Sequence, residues 1–120
     1  MKKLLILGWL LLLAALPAQA QQNLTLFMPE TGHIDSGGAE RWTFSAVEGS
    51  VLSFLVQGTG EFDPQLTISN SAGAVIIAND DYQYPASRDA LLEAITMPRT
   101  DTYTATITGA GSASGDYTLT

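Results

Sequence analysis

Four aspartates are the residues best suited to chemistry in this sequence: Asp63, Asp80, Asp81 and Asp89. Ca²⁺ and other hard cations take about six to eight oxygen ligands from carboxylates, carbonyls and water. Converging carboxylates repel one another unless a cation or hydrogen bonds compensate. The set therefore predicts either a calcium site or a group of turns whose carboxylates cap backbone N–H groups. The spacing does not match an EF-hand loop, which favours turn capping.

Two tyrosines follow the second pair of aspartates. Tyr82 and Tyr84 flank Gln83 just before Pro85. Exposed aromatic side chains on a loop are typical of contact surfaces for protein or sugar. The alternative is that both rings fold back over the end of the domain, because aromatic side chains are often buried.

Catalytic groups are scarce. His33 is the only histidine and cysteine is absent, whereas a catalytic zinc usually needs two or more such ligands. Nothing in the sequence places a serine beside His33 for a Ser-His-Asp arrangement. Paired carboxylates leave a small hydrolase as the remaining enzyme alternative. We expect no enzymatic activity, with His33 an ordinary surface residue and Trp42 a core residue.

The elements that must position these residues are short strands. Apolar and polar residues alternate in runs bounded by Gly, Asn, Asp and Pro, which predicts about eight strands in an all-β, mostly antiparallel sandwich of two sheets. The predicted strands cover 24–28, 41–47, 50–57, 65–69, 74–78, 90–97, 102–108 and 116–120. We expect 41–47 and 50–57 to form a hairpin. A second hairpin, of 65–69 with 74–78, would bring the loops of Asp63 and Asp80 to the same end.

The N-terminus resembles an export signal. Lys2 and Lys3 precede an apolar run over 4–16, and Ala18-Gln19-Ala20 supplies small residues for cleavage after Ala20. The alternative, a membrane anchor, is disfavoured because the run is shorter than the ~20 residues of a span. The sequence thus predicts a signal peptide over 1–20, one domain over 21–120, and a secreted or periplasmic location.

Charge restricts the partners further. Removal of the leader takes Lys2 and Lys3 with it and leaves three arginines against 12 acidic residues, so the formal net charge changes from −7 to −9. Nucleic acid and anionic membranes are poor partners for such a surface, because both are bound by clusters of Lys and Arg. Cations, basic proteins and simple solubility remain compatible with it.

Six motifs in order resemble the bacterial pre-peptidase C-terminal domain family. They are Gly32-His33-Ile34, Trp42-Thr43-Phe44-Ser45-Ala46 with Glu48-Gly49-Ser50-Val51, Phe62-Asp63-Pro64-Gln65-Leu66, Ser71-Ala72-Gly73 with Ala78-Asn79-Asp80-Asp81, Asp89-Ala90, and Thr102-Tyr103-Thr104 with Gly115-Asp116-Tyr117-Thr118-Leu119. The resemblance implies a jelly-roll-like β-sandwich of the kind appended to secreted peptidases and other exported enzymes. Related collagen-binding domains of clostridial collagenases include calcium binders, so the resemblance also implies possible Ca²⁺. One position departs, because Asp101 replaces the family's glycine before the Thr-Tyr pair.

Together these features predict a secreted, non-catalytic binding or accessory module. Its partner would be an extracellular protein or polymer, polysaccharide included, or an exported enzyme such as a peptidase, bound through loops at one end of the sandwich. The alternative function is a calcium-stabilised structural module of the cell envelope.

Overall fold

Nine short strands make up the described part of the chain. The structure, a computed structural model, describes residues 22–79 and 88–120. In chain order the strands are β1 (Gln22–Asn23), β2 (Glu30–Ile34), β3 (Ala39–Ala46), β4 (Val51–Gly58), β5 (Pro64–Ser69), β6 (Val75–Asn79), β7 (Ala90–Thr96), β8 (Asp101–Gly109) and β9 (Gly115–Leu119). A single 3₁₀ turn at Ala110–Ser112 joins β8 to β9. No helix in these two ranges is long and apolar enough to cross a membrane.

The strands form two sheets. One sheet has the order β1-β3-β8-β5-β6 and the other has the order β2-β9-β4-β7. All pairings are antiparallel except that of β1 with β3, which is parallel over two residue pairs. The predicted all-β, mostly antiparallel sandwich is therefore confirmed.

The core lies between the sheets and is made of every second side chain. Trp42 and Phe44 of β3 face inward from the five-stranded sheet, and Phe54 of β4 faces them from the other sheet. The Phe44 ring centroid lies 5.2 Å from that of Phe54 and 5.7 Å from that of Tyr103. Such pairs add to the stability that burial of the rings gives. Trp42 is 3% exposed, which confirms its predicted place in the core.

The predicted hairpin of 41–47 with 50–57 is wrong. β3 instead pairs along its whole length with β8, from Ala39 opposite Thr108 to Ala46 opposite Asp101, while β4 pairs with β7 and β9. Both strands carry large apolar residues on one face, and the turn between them lets these faces meet across the core. Alternation shows which face of a strand is buried but not which strand lies beside it.

The predicted strand at 24–28 is also wrong. That segment turns, with a hydrogen bond from Met28 N–H to Thr25 O of 3.2 Å, because the chain must cross there from the edge of one sheet to the other. A strand that was not predicted, β2, follows it and pairs with β9 over five residues. The hairpin of 65–69 with 74–78 is confirmed, since β5 and β6 pair antiparallel with Thr67 opposite Ala78.

Strand direction sorts the loops to two ends of the sandwich. Segments 35–38, 59–63 and 110–114 lie at one end together with residues 88 and 89, because β2, β4 and β8 finish there. We call this the acidic end. Segments 24–29, 47–50, 70–74 and 97–100 lie at the opposite end, which we call the apolar end.

Candidate functional site

The acidic end concentrates charge. Ten carboxylate residues lie in the described ranges, and six of them are at this end: Asp35, Glu40, Glu61, Asp63, Asp89 and Asp116. Arg88 and His33 are the basic or titratable cationic groups among the described residues there. The surface potential at this end is therefore negative, which attracts cationic groups.

Two of the four aspartates predicted to bind a metal are described, and each has a protein group beside it. Asp63 lies just before β5, with its Oδ2 3.9 Å from Nη1 of Arg88. Asp89 lies just before β7, and its Oδ1 accepts a hydrogen bond of 3.1 Å from Gly58 N–H. Asp89 thus bonds a backbone N–H as in turn capping, although that N–H belongs to a neighbouring strand and not to its own turn.

The rest of the predicted site lies outside the described residues. Asp80, Asp81, Tyr82 and Tyr84 all fall between residues 79 and 88. Within the described ranges, no three His, Cys, Asp or Glu side chains are grouped closely enough to hold a metal ion. Asp63 and Asp89 carry the carboxylate oxygens that Ca²⁺ prefers and lie at the same end. Because the other two aspartates lie outside the described residues, calcium binding by all four stays a prediction.

His33 is held between two carboxylates. Its Nδ1 lies 2.6 Å from Asp116 Oδ1 on the paired strand β9, and its Nε2 lies 3.2 Å from Asp35 Oδ1. The hydrogen bond to Asp116 is the main cause that raises the pKa of His33, and charge attraction to Asp116 and Asp35 adds to it. The side chain is exposed, as predicted. Because both ring nitrogens face carboxylates, neither is directed at a hydroxyl as a Ser-His-Asp triad requires.

Glu40 lies on the same face of β3 as Trp42, and its carboxylate reaches the Tyr117 hydroxyl of the other sheet. Its Oε1 accepts hydrogen bonds from the Tyr117 hydroxyl at 2.7 Å and from His33 N–H at 3.1 Å. The Tyr117 hydroxyl in turn accepts a bond of 2.7 Å from Trp42 Nε1. Burial raises the pKa of Tyr117 well above its ordinary value, so the phenol stays protonated. The position of Glu40 on the Trp42 face was the available sequence signal for this network.

Gly32 on β2 leaves the space that this network occupies. A Cβ at Gly32 would overlap Glu40 Oε1 and the Tyr117 hydroxyl. The glycine therefore allows β2 to lie close against both side chains, and the network joins the two sheets.

Phe62 closes the acidic end. It belongs to the loop between β4 and β5 and is 5% exposed. A Cβ at Gly58, Gly109 or Gly115 would lie 3.1 Å or less from its ring or its Cβ. The end that carries most of the described carboxylates is thus closely packed beneath its surface.

The opposite end is apolar. Among residues 22–79 and 88–120, six large apolar side chains remain exposed, and all six lie in or beside its loops. They are Leu26, Phe27, Met28, Val47, Val51 and Val75. Surface patches of this kind mark sites of association in soluble proteins.

Phe27 is the most exposed of the six. The residue is 93% exposed and its φ is 67°, a left-handed conformation that aromatic residues rarely adopt. Strained residues of this type occur where the surrounding structure imposes them, often at binding sites. The sequence predicts a strand over 24–28, so sequence analysis missed this surface.

A groove of about 470 Å³ lies beside Phe27. Segment 24–27 forms one wall, and β4 and Leu91 of β7 form most of the remainder. Leu55 and Thr120 lie in the groove and are joined by two backbone hydrogen bonds of 2.9 Å. None of the residues that line the groove is charged.

Asp101, which departs from the family pattern, fastens a turn of the apolar end. Its Oδ2 accepts hydrogen bonds from Ser71 Oγ at 2.8 Å and Ser71 N–H at 3.2 Å, and its Oδ1 accepts one from Thr102 N–H at 2.8 Å. These bonds lower the pKa of the exposed carboxyl, with the Ser71 hydroxyl as the largest cause. Asp101 therefore ties the β5–β6 turn to the start of β8.

Solved structures of three other proteins have a similar fold. The chain is similar to the pre-peptidase C-terminal domain of collagenase from Bacillus anthracis, with a TM-score of 0.71, 9% identity and coverage of 87% of this chain and 96% of that domain. It is also similar to the Aeromonas hydrophila periplasmic lysozyme inhibitor of g-type lysozyme, PliG, at a TM-score of 0.58, 11% identity and coverage of 83% and 92%. The Yersinia pseudotuberculosis-derived mitogen matches at a TM-score of 0.57 with 18% identity, over 77% of this chain and 80% of that one.

The sequence matches no family model and no curated protein. At 9% identity, the likeness to the collagenase domain confirms the predicted resemblance at the level of the fold. The function has to be argued from the surfaces at the two ends of the sandwich.

Proposed function

We propose that this chain is an exported, non-catalytic binding module, and that its partner is a basic protein bound at the acidic end. The observation that carries the proposal is the gathering of six carboxylates on one closely packed end, with Arg88 and His33 as the cationic groups described there. Complementary charge speeds encounter with a partner and excludes partners of like charge. Long-range attraction of this kind needs no deep cleft.

The carboxylates best placed for contact are those that extend furthest into solvent. The side chains of Asp35 and Asp116 are 92% and 69% exposed, and Glu61 is exposed in the neighbouring loop. Glu40 differs because its carboxylate is bonded inside the network with Tyr117. The contact surface proposed here is therefore Asp35, Glu61 and Asp116.

Two lines of support favour a non-catalytic role. His33, the only histidine of the chain, has both ring nitrogens beside carboxylates. The solved structures of similar fold are, by their names, a domain of a collagenase, an inhibitor of g-type lysozyme and a mitogen, and the inhibitor acts by binding another protein. The inhibitor is periplasmic, which agrees with the export that the leader predicts.

The test is retention on immobilised proteins and polymers. We expect binding to at least one basic exported protein, with g-type lysozyme as the first probe because an inhibitor of similar fold binds it. Collagen and cell-wall polysaccharide serve as further probes. Binding should weaken at least tenfold as salt rises from ~50 to ~500 mM, because salt screens exposed charges.

Matched variants locate the surface. The triple variant Asp35→Asn, Glu61→Gln, Asp116→Asn should lose most of the binding, whereas Glu48→Gln with Glu93→Gln, which removes exposed charge elsewhere, should retain it. Binding that is indifferent to salt and to the triple variant, or no retention on any basic protein, would contradict the proposal.

A further inference from the structure

The apolar end has a protruding group and a recess side by side. Phe27 projects from segment 24–28 and is 93% exposed. The groove of about 470 Å³ that it borders has uncharged walls, made largely of Leu24, Leu26, Leu52, Leu55 and Leu91. A phenyl side chain has about 150–250 Å² of surface to bury, and the groove is large enough to receive one.

A surface with both features can be complementary to itself. In a dimer with twofold symmetry, each contact occurs twice, so a group that projects from one copy enters the recess of the other and the reverse is also true. Leu26 and Leu52 line both this groove and a second recess, whose other walls are Ala46, Val47 and the polar residues Ser45, Ser50, Thr100, Asp101 and Thr102. The two leucines thus connect the two recesses.

Charge favours the same arrangement. Most of the described carboxylates lie at the acidic end, so two copies joined through their apolar ends keep these carboxylates far apart. Screening removes most of the repulsion between the two acidic ends, because the Debye length is only about 8 Å at physiological salt. Glu48 and Asp101 are carboxylates of the apolar end itself, and Arg99 offsets part of the charge of Asp101. The exposed residues Leu26, Met28, Val47 and Val51 would be buried in the same interface.

We propose that the apolar end is a self-association surface. Two copies of the chain meet end to end, and Phe27 of each copy enters the groove between segment 24–27 and β4 of the other. The acidic ends then face outward in opposite directions, and each remains accessible. This inference uses a different surface from the proposed function and does not depend on it.

Sedimentation of the exported protein over a concentration series from ~1 µM to ~1 mM tests the association. We expect a reversible monomer–dimer equilibrium. Truncation of an anchoring aromatic residue at an interface commonly costs about 30-fold or more in affinity. Because the symmetric dimer contains two such contacts, Phe27→Ala should weaken it by roughly 900-fold. Phe27→Asp should leave only monomer across this range.

Val75→Asp is the matched control. Val75 is the sixth exposed apolar residue but lines neither recess, so its variant should dimerise like the wild type. The Asp35→Asn, Glu61→Gln, Asp116→Asn variant should also dimerise normally, which separates this test from that of the proposed function. Circular dichroism and melting of Phe27→Asp monitor its folding.

Single spin labels test the geometry, since the chain has no cysteine to remove. Labels on Met28→Cys should lie much closer to each other across the dimer than labels on Glu61→Cys. A protein that stays monomeric at ~1 mM, a dimer that persists in Phe27→Asp, or a shorter distance for Glu61→Cys would overturn the proposal. A monomer whose binding to zwitterionic vesicles requires Phe27 would also overturn it and assign the surface to lipid.

Discussion

The two ends of the sandwich are closed in different ways, and one phenylalanine at each end shows how. Phe62 at the acidic end is 5% exposed and is surrounded by glycines, whereas Phe27 at the apolar end is 93% exposed and lies on a strained backbone. A phenylalanine side chain thus packs inside the fold at the acidic end, whereas at the apolar end it remains exposed to a partner.

Charged groups and apolar surface need different structural support. Carboxylates attract cationic groups over a distance, so they can lie on the surface of a closely packed end. Apolar surface works only in contact and gains free energy when a partner covers it. The chain thus separates an end suited to attraction from an end suited to close association.

The largest expected effect is the difference in stability between truncation of Phe62 and truncation of Phe27. Phe62→Ala should lower the free energy of unfolding by about 3–5 kcal/mol, because it leaves a cavity among the surrounding glycines. Phe27→Ala should change the stability of the monomer by less than about 0.5 kcal/mol. Urea denaturation of both variants at low protein concentration measures the difference. Equal losses in the two variants would show that the ends are closed in the same way.

The next largest effect is that of calcium, which should raise the Tm through aspartates of the acidic end alone. If Asp63, Asp80, Asp81 and Asp89 bind Ca²⁺, the folded state gains about 2.7 kcal/mol at a calcium concentration a hundredfold above Kd. We expect a higher Tm in millimolar Ca²⁺ than in EDTA, and Asp63→Asn should reduce the rise. The same variant of Asp101, at the apolar end, should leave the rise unchanged. Superimposable melting curves in the two solutions would show that the four aspartates do not bind calcium.

Gly32→Ala tests whether the inner network stabilises the acidic end. The added methyl group would overlap Glu40 Oε1 and the Tyr117 hydroxyl, and overpacking of this kind costs about 1–3 kcal/mol. The comparison is Gly37→Asn, which stands in open space at a φ of 74° that asparagine tolerates. Chemical denaturation should show a loss only for Gly32→Ala.

Phe27→Gly should affect stability in the opposite direction. Glycine adopts a positive φ without the penalty of about 1–2 kcal/mol that other residues pay, but it also gains freedom in the unfolded chain. We expect the monomer to become more stable by about 0.5–1 kcal/mol while the dimer is lost. Reduced monomer stability would mean that the ring packs against its own chain and is not held out for a partner.

The smallest effect concerns His33. Its raised pKa means that its attraction to Asp116 stabilises the fold fully below the unfolded value of about 6.5 and is lost as pH rises through the folded pKa. An NMR titration should place the His33 pKa above 6.5 in the wild type and lower in Asp116→Asn. A wild-type value at or below 6.5 would exclude the close approach of the two carboxylates.

Sequence patterns predicted the sandwich because alternation is strong in β3, β4 and β8. The same patterns could not assign neighbours, since β3 and β4 each bury one face whichever strand lies beside them. Segment 24–28 misled for a related reason: an apolar run indicates burial, but here a crossing between sheets requires a turn that leaves Phe27 exposed. β2 was missed because Ile34 is its only large apolar residue, and its pairing with β9 is what makes it a strand.

The candidate sites were predictable to a smaller extent. Aspartates beside Pro64 and Ala90 mark loop positions, and the structure brings both to one end, Asp63 at the start of β5 and Asp89 at the start of β7 beside the end of β4. The contact of the His33 ring with Asp116 depends on the register of β2 with β9, which no local sequence pattern predicts; Asp35 provides its second contact. Dismissal of His33 as ordinary was correct about its exposure but overlooked its two partners.

The hydrogen bonds between Thr120 and Leu55 bear on how the protein is handled. They direct any chain attached after Thr120 along β4 toward Ser53, beside the groove that Phe27 borders. An affinity tag or fluorescent fusion placed there would compete with Phe27 of a second copy for the groove, so a tagged protein is unsuitable for the dimerisation test proposed above. A label near residue 61, at the far end, leaves that contact open.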